Sequence, residues 1–133
     1  MKKGFKENIE KLTKENTDFR RVLYTGKHTQ IVLMSLPPGG EIGMEIHKEN
    51  DQFFRFDAGE GKVFIDGNEY EVKDGDAVIV PAGSEHNVIN TSETHDLKLY
   101  TLYSPAHHKD GIVRHTKAEA DANEEEFDGV TTE

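Results

Sequence analysis

Residues 40–59 read Gly40-Glu-Ile-Gly-Met-Glu45-Ile-His47-Lys-Glu-Asn-Asp51-Gln52-Phe-Phe-Arg-Phe-Asp-Ala-Gly59. Glu45 and His47 are two apart, so on an extended strand both side chains leave the same face. Gln52 opens a new apolar run after a short break. A second stretch answers the first: Gly75-Asp-Ala-Val-Ile-Val-Pro81-Ala-Gly83-Ser-Glu-His86-Asn-Val-Ile-Asn90. It places His86 just after a Pro-Ala-Gly turn. Oxygen and nitrogen donors from separate strands converge only if those strands curl into a barrel.

The pair of stretches resembles the two motifs of the cupin superfamily, small β-barrels that hold a metal in the barrel mouth. The second motif of that family runs Gly, five residues, Pro-x-Gly, two residues, His, three residues, Asn. Gly75, Pro81, Gly83, His86 and Asn90 match it at every fixed position. The first motif runs Gly, five residues, His-x-His, three or four residues, Glu, six residues, Gly. Here Glu45-Ile46-His47 stands for His-x-His with one spacer dropped, and Gln52 stands where the family has Glu. Asp51 is the rival for that place, but only Gln52 leaves Gly59 at the family distance. The resemblance covers roughly residues 31 to 104. It implies an all-β cupin double-stranded β-helix, a jelly-roll barrel.

The expected single domain spans residues 1–133, with a barrel core over about 18–104 and an extension over 105–133. The chain's 133 residues suit one domain with a real core. A formal net charge of −10 argues against nucleic acid or an anionic membrane as partner. Without cysteine there is neither a disulfide framework nor a thiolate metal site. No apolar run is long enough to span a bilayer, so a cytoplasmic protein is the expectation.

Taken in order, Phe5, Ile9 and Leu12 lie at helical spacing among Lys and Glu, which predicts a short N-terminal helix over 5–16. Strands are expected over 18–24, 30–36, 52–57, 62–65, 69–73, 77–80, 85–90 and 97–103, with one more carrying Glu45 and His47. Asp66-Gly67-Asn68 is a hairpin turn signal. Short strands at regular intervals with Gly, Pro, Asp and Asn between them indicate a sandwich or barrel, whatever the family. Residues 116–126 suggest a frayed helix. The tail from Lys117 has seven acids and one base, a composition expected to be solvated and poorly ordered.

The candidate metal ligands are therefore Glu45, His47, Gln52 and His86. Two imidazoles and a carboxylate with open positions suit a divalent transition metal, with Fe or Mn favoured and Zn or Ni possible. The bland alternative is a barrel without metal, in which Glu45 and Gln52 are polar fillers. Period two puts Phe54 and Phe56 inside with Gln52, and Asn90 on the face of His86. Phe54 and Asn90 are the candidate substrate-binding residues, while Glu85 and Asn87 are expected to face away. His28, His95, His107, His108 and His115 read as exposed loop histidines. Two function classes stay open. One is a metal-dependent enzyme of the dioxygenase or sugar isomerase/epimerase type. The other is a non-catalytic module that binds or senses a sugar or organic acid. A small-molecule ligand is expected in either case. A homodimer is also expected, by pairing of the apolar strands 22–24 and 31–36 across a two-fold axis.

Overall fold

The computed structural model covers residues 1–133. Ten strands follow a short helix α1 (Ile9–Glu15): β1 (Arg20–Thr25), β2 (Gln30–Leu36), β3 (Glu45–Ile46), β4 (Asp51–Ala58), β5 (Glu60–Ile65), β6 (Asn68–Lys73), β7 (Ala77–Val80), β8 (Glu85–Asn90), β9 (Leu97–Ser104) and β10 (Val113–Arg114). A second short helix, α2 (Lys117–Ala122), comes last. The strands form a six-stranded sheet in the order β10-β1-β2-β9-β4-β7 and a four-stranded sheet in the order β3-β8-β5-β6. Every pairing is antiparallel. The inner faces close on one core that contains Val32, Met34, Phe54, Phe56, Val63, Val88 and Leu99. This is the expected jelly-roll architecture.

Alternation along the strands does the sorting. In β9, Leu97, Leu99, Thr101 and Tyr103 are buried while the residues between them are partly exposed. In β4, Gln52, Phe54 and Phe56 point inward, and Asp51 is exposed. Asp66 and Gly67 form the two-residue turn between β5 and β6 with φ of 46° and 82°. Positive φ at both positions matches the right-handed strand twist, which is why an Asp-Gly pair sits there. Gly59 has φ of +91°, and a Cβ on it would come within 2.5 Å of the Asp96 carbonyl oxygen. No other residue fits where β4 turns into β5.

Asn8 caps α1 by accepting from the Lys11 amide at 3.1 Å. The helix packs against β2, β4 and β9. Phe53, facing out of the barrel, is half-buried and sits 6.3 Å from the Tyr100 ring. No helix is long and apolar enough to cross a membrane.

Three expectations need correction. First, β1 and β2 are not free to pair across a two-fold axis. β2 lies between β1 and β9, and β10 covers the start of β1. Neither strand offers a run of unpaired main-chain groups, so an edge-to-edge dimer would have to use β3, β6, β7 or β10. Second, the strand carrying Glu45 stops at Ile46, so His47 lies just beyond it. Third, the acidic tail is docked rather than solvated. Thr116 caps α2 through the Glu119 amide. The Thr132 amide donates to the Thr25 carbonyl at 2.9 Å, and Thr132 Oγ1 accepts from the Thr25 amide at 2.8 Å. The Glu133 carboxylate accepts from the Lys3 and Gly4 amides and the Tyr24 hydroxyl. The docking runs through the Thr132 main chain and the Glu133 carboxylate, so a charge count does not reveal it.

Asp18 ties the barrel to this C-terminal segment. Its carboxylate accepts from His115 Nδ1 at 2.6 Å and Arg21 Nε at 2.9 Å. Burial works to raise its pKa, but the His115 and Arg21 contacts outweigh it and hold the carboxyl below its ordinary value. A carboxyl depressed in the folded state stabilises above its unfolded pKa and loses that contribution as pH falls through the folded one. Asp18→Asn is therefore expected to cost about 1–2 kcal/mol at pH 7. The gap to wild type should close below about pH 4. Thermal unfolding across pH checks this; a gap that persists unchanged at pH 2.5 would assign the effect to packing.

Candidate metal centre

Glu45 and His47 meet His86 from β3 and the residue after it, with His86 from β8, while Gln52 is buried on the inner face of β4. Glu45 faces His86 directly across the β3–β8 pair. The second motif's turn is locked onto the first: the Gly83 amide donates to the His47 carbonyl at 2.9 Å, and Asp51 Oδ1 accepts from the Ala82 amide at 2.9 Å. Asp51 thus holds the turn from outside and does not reach the mouth.

One potential ligand atom from each of Glu45, His47 and His86 lies within 4.8 Å of the other two. His86 Nδ1 is 3.0 Å from the Ser84 carbonyl oxygen. A carbonyl only accepts, so Nδ1 carries the hydrogen and Nε2 of the neutral ring keeps its lone pair. That is the tautomer a metal ligand needs. His47 Nε2 lies 2.5 Å from Glu45 Oε2, yet it is buried and makes no aligned hydrogen bond. The Gln52 side-chain amide donates to Thr101 Oγ1 at 3.0 Å, which leaves its buried Oε1 without a partner. A buried Gln52 Oε1 without a partner, and a His47 Nε2 packed on a carboxylate without an aligned hydrogen bond, are costly in a dry site unless a cation completes them. Burial pushes the Glu45 carboxyl up, but the His47 contact and the nearby His86 and Arg20 prevail, and it sits below the usual carboxylate range. The donor set therefore fits a divalent ion.

Residues 32–103 match the family profile described as the cupin domain. The chain belongs to the cupin family. Among its relatives, the uncharacterized protein YrkC of Bacillus subtilis is 47% identical over 92% of this chain and 69% of its own. The crystal structure of BH2720 from Bacillus halodurans superposes with a TM-score of 0.87 at 46% identity, covering 90% of this cupin and 94% of that chain. A Thermotoga maritima protein named oxalate-binding protein is 31% identical over 46% of this chain and half of its own, 50%.

Two expected pocket residues have other surroundings in this cupin. Phe54 is completely buried beneath the site, its ring 6.3 Å from His86 and 6.4 Å from Phe56. It is a floor under His86 rather than a wall of the mouth. Asn90 is 1% exposed, and its side-chain nitrogen lies 2.8–3.0 Å from the carbonyl oxygens of Leu36, Pro37 and His95. Its oxygen accepts from the Ser92 amide at 2.9 Å. The whole amide is committed to main chain, which leaves nothing to offer a ligand. Glu85 is exposed, as expected. Asn87 points away from the metal ligands but is buried, because the Gly43 amide donates to its Oδ1.

His107 and His108 overturn their reading as exposed loop residues. After Ser104-Pro105 the chain folds back over the mouth. Gln30, fully buried on β2, accepts from the His107 and His108 amides and donates to the His108 carbonyl. Asn50 donates to the Pro105 carbonyl at 2.5 Å. These two amides pin the loop so that His107 packs 4.2 Å from the His47 ring and 5.3 Å from Tyr103. His108 Nε2 meets the Tyr103 hydroxyl at 3.2 Å. Burial beside the His47 ring lowers His107 to about 4, and burial with the Arg20 charge lowers His108 as well. Both rings are neutral at pH 7. Burial and the Glu45 charge raise the Tyr103 phenol, so it keeps its proton. The only local signal for this wall was the His107-His108 doublet itself.

Proposed function

We propose that this cupin holds a divalent transition metal through Glu45, His47 and His86, with the Gln52 carbonyl as fourth donor, and binds a small polar metabolite there. The observation that carries the reading is the convergence of one ligand atom each from Glu45, His47 and His86 within 4.8 Å of one another. A bound ion would supply a Lewis acid with positions open to a ligand oxygen. A neutral amide in place of a third imidazole favours harder ions, Fe or Mn before Zn or Ni. Neutral His107 and His108, with protonated Tyr103, form the wall beside those positions. They offer hydrogen bonds to a ligand and shield it from water.

Metal analysis of protein purified without a polyhistidine tag, then loaded with each ion in turn, tests the reading. Gln52→Glu is expected to tighten divalent metal about ten-fold or more by adding a charge where Oε1 now sits. Gln52→Ala is expected to change affinity or selectivity, and Asp51→Ala to change neither. If isothermal titration instead shows Asp51→Ala as the damaging change, the ligand set has been wrongly chosen. Binding without turnover is the reading we favour for the ligand. The chain has no cysteine, and the lysine that lines the cleft, Lys117, is paired with Asp121, so no nucleophile–base pair stands ready for covalent catalysis. Ligand consumption followed by NMR in the presence of Fe(II) and air would reverse that preference.

A further inference from the structure

The chain has four arginines. Arg21, Arg55 and Arg114 each stand within 4.0 Å of a carboxylate, on Asp18, Asp57 and Glu125 respectively. Arg20 has no such partner. It opens β1 next to β10, and its guanidinium lies 5.4 Å over the Phe19 ring. No hydrogen bond from the Arg20 side chain accompanies that contact. Nε is buried and makes no hydrogen bond. A half-buried cation without an acceptor is costly unless an anion completes it.

Arg20 shares one open cleft of about 390 Å³ with Glu45, His47, His107 and His108. Its charge is felt at Glu45, Tyr103, His107 and His108, so it lies close to the metal ligands and to the wall beside them. A guanidinium presents parallel N–H groups that match the two oxygens of a carboxylate.

The rim of the same cleft has the opposite sign. Asp121, Glu124, Glu125 and Glu126 line it. Asp121 is paired with Lys117, and Glu125 stands near Lys109 and Arg114, but Glu124 and Glu126 are exposed and without cation partners. Such a rim repels a polyanion over about one Debye length, roughly 8 Å in physiological salt. A ligand of low charge that fits inside the cleft escapes most of that repulsion and reaches Arg20.

We propose that Arg20 is the anion-recognition group of this cupin, and that the ligand is a small mono- or dicarboxylate, not a phosphorylated sugar or nucleotide. The proposal rests on the Glu45–His47–His86 site being where such a ligand's other end sits, but Arg20 is tested separately from the metal. Malonate and its uncharged counterpart malonamide are titrated calorimetrically into manganese-loaded and metal-free protein. Metal content is measured before and after. Malonate is expected to bind at least ten-fold more weakly to Arg20→Gln than to wild type, with malonamide indifferent to the change. In metal-free protein the same dependence on Arg20 is expected at lower affinity. That arm decides alone if no metal loads, an outcome that would sink the metal reading but not this one. Should Arg20→Gln fail to fold, Arg20→Lys takes its place. It keeps the charge but loses the fork, and a roughly five-fold loss is expected. Malonate affinity unchanged in the folded variant, or a phosphorylated sugar binding more tightly than malonate in an Arg20-dependent way, overturns the proposal.

Discussion

His47→Ala and His86→Ala are each expected to abolish most metal binding, so that the dialysed variants retain only a small fraction of the wild-type content. Each removes an imidazole whose lone pair is already aimed: the Ser84 carbonyl holds the tautomer of His86, and the Gly83 amide holds the main chain of His47. His107 is expected not to fill the vacancy, because Gln30 pins its main chain. A ligand that binds only the folded state adds about 2.7 kcal/mol at a hundred times its dissociation constant. For a domain of this size that is about 10 °C in melting temperature. The wild-type protein should therefore show a metal-induced rise of that order, and both variants almost none. The rise, not the absolute melting point, is the readout. His86 is 2% exposed, and its removal also leaves a cavity over Phe54 whether or not metal is present. Unchanged metal content in both variants would show that the ion binds elsewhere or not at all.

The second large effect separates folding from binding. Asn90→Ala is expected to lower stability by about 3 kcal/mol while metal content stays at the wild-type level. The carbonyls of Leu36, Pro37 and His95 would lose their donor, and the Ser92 amide its acceptor, at a site closed to water. Asn90 joins the end of β2 to the loop before β9, so the loss falls on the closure of the barrel. Asn90→Asp should be at least as damaging. It keeps an acceptor for Ser92 but sets a carboxylate against three carbonyl oxygens. Chemical denaturation and metal analysis on the same preparations check both halves. A variant of wild-type stability with reduced metal or ligand affinity would restore Asn90 to the pocket.

These two residues come from one motif, and the contrast between them marks what spacing conveys. The positions of His86 and Asn90 follow from local geometry: a Pro-x-Gly turn, then a strand on which residues four apart share a face. Both side chains do point inward. What each one meets there depends on other strands, and the stretch itself carries no trace of the Leu36 and His95 carbonyls.

Much of the barrel was legible for the same local reason. Period-two alternation placed Gln52, Phe54 and Phe56 inside and Asp51 outside. Asp66-Gly67 located the hairpin, and the bounds of β2, β7 and β8 coincide with the runs read from the sequence. Glu45, His47 and His86 were recognisable because a strand's period and a turn's length fix where donors can point. The remainder depended on contacts between residues far apart in the chain. Gln30 reads as an ordinary strand residue until the main chain of His107 and His108, 77 and 78 positions later, folds onto its amide. The acidic tail reads as solvated until its backbone pairs with Thr25. Arg20 and Arg21 are adjacent and chemically identical. Only the tertiary structure gives Arg21 a carboxylate and leaves Arg20 facing the mouth, since successive residues on a strand emerge on opposite sides and meet different neighbours.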